Sequence, residues 1–152
     1  MKRTVEFSVN GDAYRLVLPD AWIDLMEFDR QLRKARRSGT LADWSGVLDL
    51  YVGELLPEVG AAEWVLAERD RYRLAAADAA VQVAGLAEDA QALRAAHRAV
   101  ELDPLRDSSW LLLADLQAEQ GDPTAAAATR REHTRICAEL AVSPPGRPGR
   151  DG

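Results

Sequence analysis

The sequence predicts a mainly α-helical protein in which an antiparallel array of about six helices follows a short N-terminal β-hairpin. Alanine is abundant, and the strong helix formers arginine, leucine and glutamate accompany it. The spacing of apolar residues changes from two to about 3.6 residues near Asp20. A pattern of small and apolar residues then recurs in the second half of the chain. We therefore expect two strands first and helices thereafter.

Length and composition indicate one domain, and the cysteine content does not require an oxidising compartment. The 152 residues carry a formal net charge of −6, and Cys137 is the single cysteine, so no internal disulfide can form. Because no targeting segment or apolar stretch of bilayer length is visible, we expect a cytoplasmic protein that does not contact membranes. The negative charge opposes contact with a phosphate backbone, and we expect no direct nucleic-acid binding by this chain alone.

Residues 1–19 are expected to form the hairpin. Apolar residues alternate with polar ones twice, at Val5, Phe7 and Val9 and again at Tyr14, Leu16 and Leu18. Asn10-Gly11 supplies turn chemistry, and the loop is either a two-residue turn or a longer one.

The first helix is predicted from Asp20 to about Arg37. Its apolar face consists of Trp22, Leu25, Phe28, Leu32 and Ala35. Gly39 is placed to end this helix, and Thr40 is the next N-cap, with Asp43 as its capping-box partner.

The second helix is predicted to end at Pro57, and the third to run from about Ala61 to Leu86. The second carries apolar residues at helical spacing: Leu41, Trp44, Leu48, Tyr51 and Leu55. The third carries them on several sides, which indicates burial by more than one neighbour: Trp64, Leu66, Leu74, Val81 and Val83. All four tryptophans fall on predicted core faces, at positions 22, 44, 64 and 110.

The fourth helix, about Glu88 to Leu102, presents a small-residue stripe of Ala92, Ala96 and Ala99. Asp103-Pro104 is predicted to begin the fifth helix, and Gly121-Asp122-Pro123 the sixth. The helical domain then covers residues 20–142. Residues 143–152 contain three prolines and three glycines, and we expect a disordered tail there.

The recurring pattern matches a tetratricopeptide frame that starts at Arg73. The signature positions of one unit fall on Ala76, Ala79, Ala80, Val83, Ala92, Ala96, Ala99 and Pro104. A shift of about 34 residues, the repeat length, places Trp110, Leu113, Ala114, Gly121 and Ala126 correctly. The second unit fails at Arg130 and His133, as a more polar capping repeat would. The predicted helical array is thus tetratricopeptide-like.

No residue pattern indicates catalysis or a cofactor. His97 and His133 lie on different predicted helices without a serine or carboxylate pair at motif spacing, and no phosphate-binding loop is present. His133 and Cys137 have the spacing of two metal ligands on one helix face, but a structural zinc site needs about four. We therefore interpret both as partly buried packing residues, and we expect no enzyme activity, no cofactor and no bound metal.

A basic cluster ends the first helix and is the one candidate site for a partner. It consists of Arg30, Arg33, Lys34, Arg36 and Arg37. One interpretation is a patch that binds phosphate or an acidic partner. The simpler one places these cations against the negative end of the helix dipole.

Several short strings together carry a family resemblance that spans roughly Tyr14 to Pro144. They are Tyr14-Arg15-Leu16, Asp24 with Phe28, the run from Leu50 to Pro57, Glu63-Trp64-Val65, Glu68-Arg69, Leu102-Asp103-Pro104-Leu105, Gly121, and the run from Leu140 to Pro144. In this combination the chain resembles the bacterial transcriptional activator domain of SARP-type transcriptional regulators. Thr129 and Ala141 depart from the family pattern, which usually has an aromatic residue and a glycine there.

The resemblance implies a tetratricopeptide-like module that follows a winged-helix domain, with residues 1–19 as the wing. The helices that enter the major groove would precede this hairpin, so we expect this chain to lack them. The expected function is that of an interaction or effector domain of a transcriptional regulator, which self-associates or contacts the transcription machinery. The alternative is a stand-alone adaptor that binds peptides and has no role in transcription.

Overall fold

The computed structural model describes residues 3–9, 12–18, 20–52 and 63–142, with side chains described within 25–52 and 66–141. This part of the chain is mainly helical. Its elements are β1 (Arg3–Val9), β2 (Asp12–Leu18), α1 (Asp20–Ser38), α2 (Leu41–Leu50), α3 (Glu63–Leu86), α4 (Asp89–Leu102), α5 (Asp107–Glu119) and α6 (Pro123–Val142). The tail predicted at 143–152 lies outside the described residues.

The two strands form an antiparallel pair at the N-terminal side of α1. Val9 lies opposite Asp12, Phe7 opposite Tyr14, and Arg3 opposite Leu18. The turn predicted at positions 10 and 11 lies outside the described residues. β2 also contacts α1.

Gly39 and Thr40 connect α1 to α2 in the way that the sequence predicts. Gly39 has a φ of +65°, in the left-handed region that favours glycine. The Thr40 side chain accepts a hydrogen bond of 3.3 Å from the Asp43 backbone N–H. The reciprocal half of the predicted capping box is not formed. The Asp43 carboxylate instead accepts a hydrogen bond of 2.6 Å from Ser38 and lies 2.6 Å from the Lys34 ammonium.

The second helix is shorter than predicted, because α2 ends at Leu50. Tyr51 closes it with a backbone N–H that donates to the Leu48 carbonyl over 3.1 Å. The Tyr51 ring meets the Phe28 ring edge-on, with centroids 6.2 Å apart. The Tyr51 side chain thus contacts α1 at the point where α2 ends. Leu55 and Pro57, the predicted end of the helix, lie outside the described residues.

The start of α5 also differs from the prediction. It begins at Asp107 with Arg106 as N-cap, not at Asp103-Pro104. Asp103 is the C-cap of α4, where its N–H donates to the Ala99 carbonyl over 3.0 Å. Its carboxylate accepts from Arg106 Nε at 3.1 Å. Asp103 therefore ends α4, and a turn in which the Arg106 N–H donates to the Asp103 carbonyl over 3.2 Å separates it from α5.

The start of α6 is the one that the sequence predicts. Gly121 has a φ of +84°, and Pro123 is the first helical residue. Asp122 Oδ1 accepts a hydrogen bond of 2.9 Å from the Ala125 N–H, which is the N-cap interaction.

The helices pack mainly against their neighbours in sequence, from α1 to α6. Where α3 meets α4, the interface is built from small buried residues: Ala76, Ala77, Ala79, Ala80, Ala92, Ala95, Ala96 and Ala99. These short side chains allow the two backbones to approach closely. Leu66 and Leu74 of α3, predicted to be buried, are 46% and 38% exposed because the alanine face occupies the interface. No helix of the described part is long and apolar enough to cross a bilayer.

Two of the four predicted tryptophan anchors can be located. Trp44 and Trp110 are both buried, at 8% exposure each. The side chains of Trp22 and Trp64 lie outside the described residues. Trp110 donates its indole N–H to the Pro104 carbonyl over 2.9 Å, so its one polar atom is satisfied.

Candidate functional site

A groove of about 350 Å³ opens between α1 and α3. Its walls combine apolar and charged side chains: Phe28, Asp29, Leu32 and Arg36 from α1, and Arg71, Tyr72, Leu74, Ala75 and Asp78 from α3. Such a mixture of apolar contact area and a few placed polar groups is typical of binding clefts. We name this feature the α1–α3 groove.

Two aromatic side chains form the floor of the α1–α3 groove. The rings of Phe28 and Tyr72 meet edge-on with centroids 5.3 Å apart, and both residues are buried. The Tyr72 hydroxyl donates to Asp29 Oδ2 at 2.9 Å and accepts from Arg71 Nη2 at 2.8 Å. Burial and the bond to Asp29 raise the pKa of Tyr72 to about 12, so the hydroxyl keeps its proton. The floor is therefore uncharged.

The two carboxylates of the groove are already engaged. Asp29 accepts from Tyr72, and Asp78 accepts from Arg106 Nη1 at 2.6 Å. The bond to Asp78 raises the pKa of Arg106, which stays a cation. Arg36 is exposed and makes no ion pair with any described residue. The unmatched charge of the groove is thus positive.

The structure divides the predicted basic cluster into members with different surroundings. Arg30 pairs with Glu27 on its own helix. Lys34 reaches α2, where its ammonium lowers the pKa of Asp43 to about 2. Arg30 and Lys34 are therefore paired with carboxylates. Neither interpretation of the cluster predicted this pairing.

The other three members are exposed and have no ion-pair partner among the described residues: Arg33, Arg36 and Arg37. Arg36 and Arg37 lie in the last turn of α1, as the helix-dipole interpretation requires. Of the five, Arg36 alone lines the α1–α3 groove.

Sequence reasoning missed most of the groove, namely Asp29, Arg71, Tyr72 and Asp78. Asp29 and Tyr72 are separated by 43 positions, so no local spacing connects them. One signal was present at Tyr72. It is a large residue four positions before Ala76, on the same helix face as the buried alanines.

A second group of polar side chains lies at the other end of the array. His133 Nε2 is 2.8 Å from Asp107 Oδ1, and Cys137 Sγ is 3.9 Å from the same oxygen. The ligand atoms of all three residues lie within 4.8 Å of one another. His133 is half-buried, as predicted, with its ring stacked on Trp110 at 5.8 Å. Cys137 is exposed, so its predicted packing role is wrong.

The remaining histidine, His97, is exposed on α4 and does not join this group. Spacing along α6 identified His133 and Cys137, but Asp107 comes from α5 and was missed. Its signal in the sequence is weak, since an aspartate in the first turn of a helix is common for reasons of capping and dipole.

No protein-family model, curated protein or solved structure matches the chain.

Proposed function

We propose that this chain is a protein-interaction domain of a bacterial transcriptional regulator, and that its α1–α3 groove holds an acidic, partly apolar protein segment. The segment belongs to a second copy of the chain or to the transcription machinery. The observation that carries the proposal is the unmatched Arg36 at the side of an aromatic floor made by Phe28 and Tyr72.

The charges of the groove favour an acidic ligand over a basic one. A carboxylate of the segment would pair with Arg36, while Asp29 and Asp78 are occupied by Tyr72 and Arg106. Apolar side chains of the segment would contact Leu74, which lines the groove and is 38% exposed. A basic segment would meet the cation of Arg36 without a free carboxylate, which disfavours it.

The packing of the helices supports a tetratricopeptide-like arrangement. The main contacts join sequence neighbours, and short connections between such helices favour antiparallel pairs. The small residues expected at signature positions, such as Ala80, Ala96 and Ala114, are buried.

The second candidate function is a stand-alone adaptor that binds peptides in the same groove. The same open, mixed groove favours it, because nothing in the groove is specific to transcription. The identity of the bound protein separates the two functions.

The test is a pull-down from native lysate with the wild-type chain and two matched variants, Arg36→Gln and Arg33→Gln. Both arginines are exposed on α1 without an ion-pair partner among the described residues, but only Arg36 lines the groove. We expect RNA polymerase subunits to co-purify with wild type and Arg33→Gln, and several-fold less with Arg36→Gln. Sedimentation equilibrium of the same three proteins tests self-association in parallel.

Retention of other proteins without polymerase, in a chain that stays monomeric, would favour the adaptor. Equal retention and equal self-association by Arg36→Gln and wild type would contradict the use of this groove.

A further inference from the structure

We propose that Asp107, His133 and Cys137 form a binding site for a divalent transition-metal ion of the zinc type, independently of the function of the groove. The site lies where the first turn of α5 meets the middle of α6. It has three protein ligands and a fourth position open to solvent.

The three side chains supply the ligand atoms that zinc prefers. These are a thiolate sulfur, an imidazole nitrogen and a carboxylate oxygen, and sites with three protein ligands leave the fourth position to water. The atoms already lie within 4.8 Å of one another, with 2.8 Å from His133 Nε2 to Asp107 Oδ1. Ligand bonds of about 2.0–2.3 Å in a tetrahedron require separations of roughly 3.3–3.8 Å. Small side-chain rotations therefore suffice to admit an ion.

The backbone holds the three ligands in place without a metal. His133 and Cys137 are four residues apart on one face of α6, and Asp107 faces them from α5. The His133 ring stacks on Trp110 with an interplanar angle of 10°, which keeps Nε2 directed at Asp107. Trp110 is itself buried and bonded to the Pro104 carbonyl. The ring of His133 therefore already faces Asp107 before an ion binds.

The proton and charge balance also fits a dication. Binding releases the Cys137 thiol proton, and His133 binds as neutral imidazole with its proton on Nδ1. The Asp107 carboxylate and the thiolate together neutralise the two positive charges. Cys137 and Asp107 are exposed, so the ion and a water molecule can enter from solvent.

Metal binding would stabilise the packing of α6 against α5. In the described part of the chain, α6 makes its main helix contacts with α5. An ion held by residues from both helices adds a link between them that vanishes when metal is removed.

The test is a titration of the full chain with Co²⁺ under reducing conditions, followed by absorption spectroscopy. We expect one ion per chain, tetrahedral d–d bands, and a thiolate-to-cobalt charge-transfer band that Zn²⁺ displaces. Cys137→Ser should lose the charge-transfer band. Asp107→Asn and His133→Gln should each weaken Co²⁺ affinity at least about 100-fold, since even loss of a residue that only supports a ligand costs about 10- to 100-fold.

His97→Gln is the matched control, because His97 is exposed on α4 and outside the group. It should bind Co²⁺ as wild type does, and circular dichroism checks that every variant is folded. Absence of a charge-transfer band, its survival in Cys137→Ser, or saturation at half an ion per chain would overturn the site. So would an unchanged melting temperature of wild type in the presence of excess Zn²⁺.

Discussion

The two ends of the helical array differ in how their polar side chains are paired. At the α1–α3 groove, the buried Tyr72 hydroxyl donates to Asp29, and Arg106 pairs with Asp78, so each carboxylate has a partner within the protein. At the α5–α6 end, a histidine, a cysteine and an aspartate meet in partial contact with solvent. The first arrangement leaves Arg36 as the groove cation without an ion-pair partner among the described residues. The second leaves lone pairs that an ion can use.

The stability of the groove end depends on aromatic packing. Removing one of its rings should lower the unfolding free energy more than any other change proposed here. Phe28→Ala should cost about 3–5 kcal/mol of unfolding free energy, because the ring is buried and contacts Tyr51 and Tyr72. Met26→Ala is the control on the same helix, since Met26 is 65% exposed. Chemical denaturation measures both. Equal stability of the two variants would show that the aromatic floor is not part of the core.

The α5–α6 end depends on a buried hydrogen bond between neutral side chains. Thr129 donates from its hydroxyl to Gln117 Oε1 over 2.7 Å, and both residues are buried. Thr129→Val should cost about 1–3 kcal/mol, because the Gln117 oxygen would remain buried without that donor. The double variant Thr129→Val with Gln117→Leu should recover part of the loss. If the single variant is as stable as wild type in denaturation, water satisfies this oxygen.

Alkaline pH tests the groove end through Tyr72. Its folded pKa, raised to about 12 by burial and Asp29, exceeds the ordinary value of 10.0. The unfolded chain therefore loses this proton first as pH rises. The contribution of Tyr72 is fully present below pH 10 and is lost as pH rises through about 12. Tyr72→Phe should cost about 1 kcal/mol at neutral pH and show a flatter decline of stability over this interval. If the stability of Tyr72→Phe falls as steeply with rising pH as that of wild type, Tyr72 does not cause this part of the alkaline decline.

Acid pH tests the connection between α1 and α2, with the smallest expected effect. Lys34 lowers the folded pKa of Asp43 from 3.8 to about 2. The unfolded chain therefore takes up this proton first as pH falls, so the contribution is present above pH 3.8 and is lost as pH falls through about 2. Asp43→Asn should flatten the acid decline of stability, and added salt should reduce the difference because the pair is partly exposed. Asp49→Asn, in the exposed last turn of α2, is the control.

Helix boundaries were predictable where one local interaction decides them. Gly39 and Thr40 separate α1 from α2, and Asp122-Pro123 begins α6, because caps and left-handed glycines act within a few residues. The boundaries at Tyr51 and Asp103 were not predictable. At the first, the Tyr51 ring contacts Phe28 on another helix, and at the second, Asp103 bonds both to Ala99 of α4 and to Arg106 before α5.

The candidate sites show the same division. The basic cluster and the pair of His133 and Cys137 are visible as spacing along one helix. Two of the partners come from other helices. Asp43 binds Lys34 from α2, and Asp107 joins the pair from α5, 26 positions before His133. No periodicity within one helix contains this information.

By itself, the amino-acid sequence determined that this protein is mainly helical, where several helices begin and end, and that basic residues cluster near the end of α1. These properties follow from helix propensity, capping and the 3.6-residue period, which act over a few positions. Only the tertiary structure decided that Arg36 lines a groove while Lys34 is neutralised, and that Asp107 meets His133 and Cys137. Such juxtapositions depend on how one helix packs against the next, where side chains distant in sequence share a few ångströms of space.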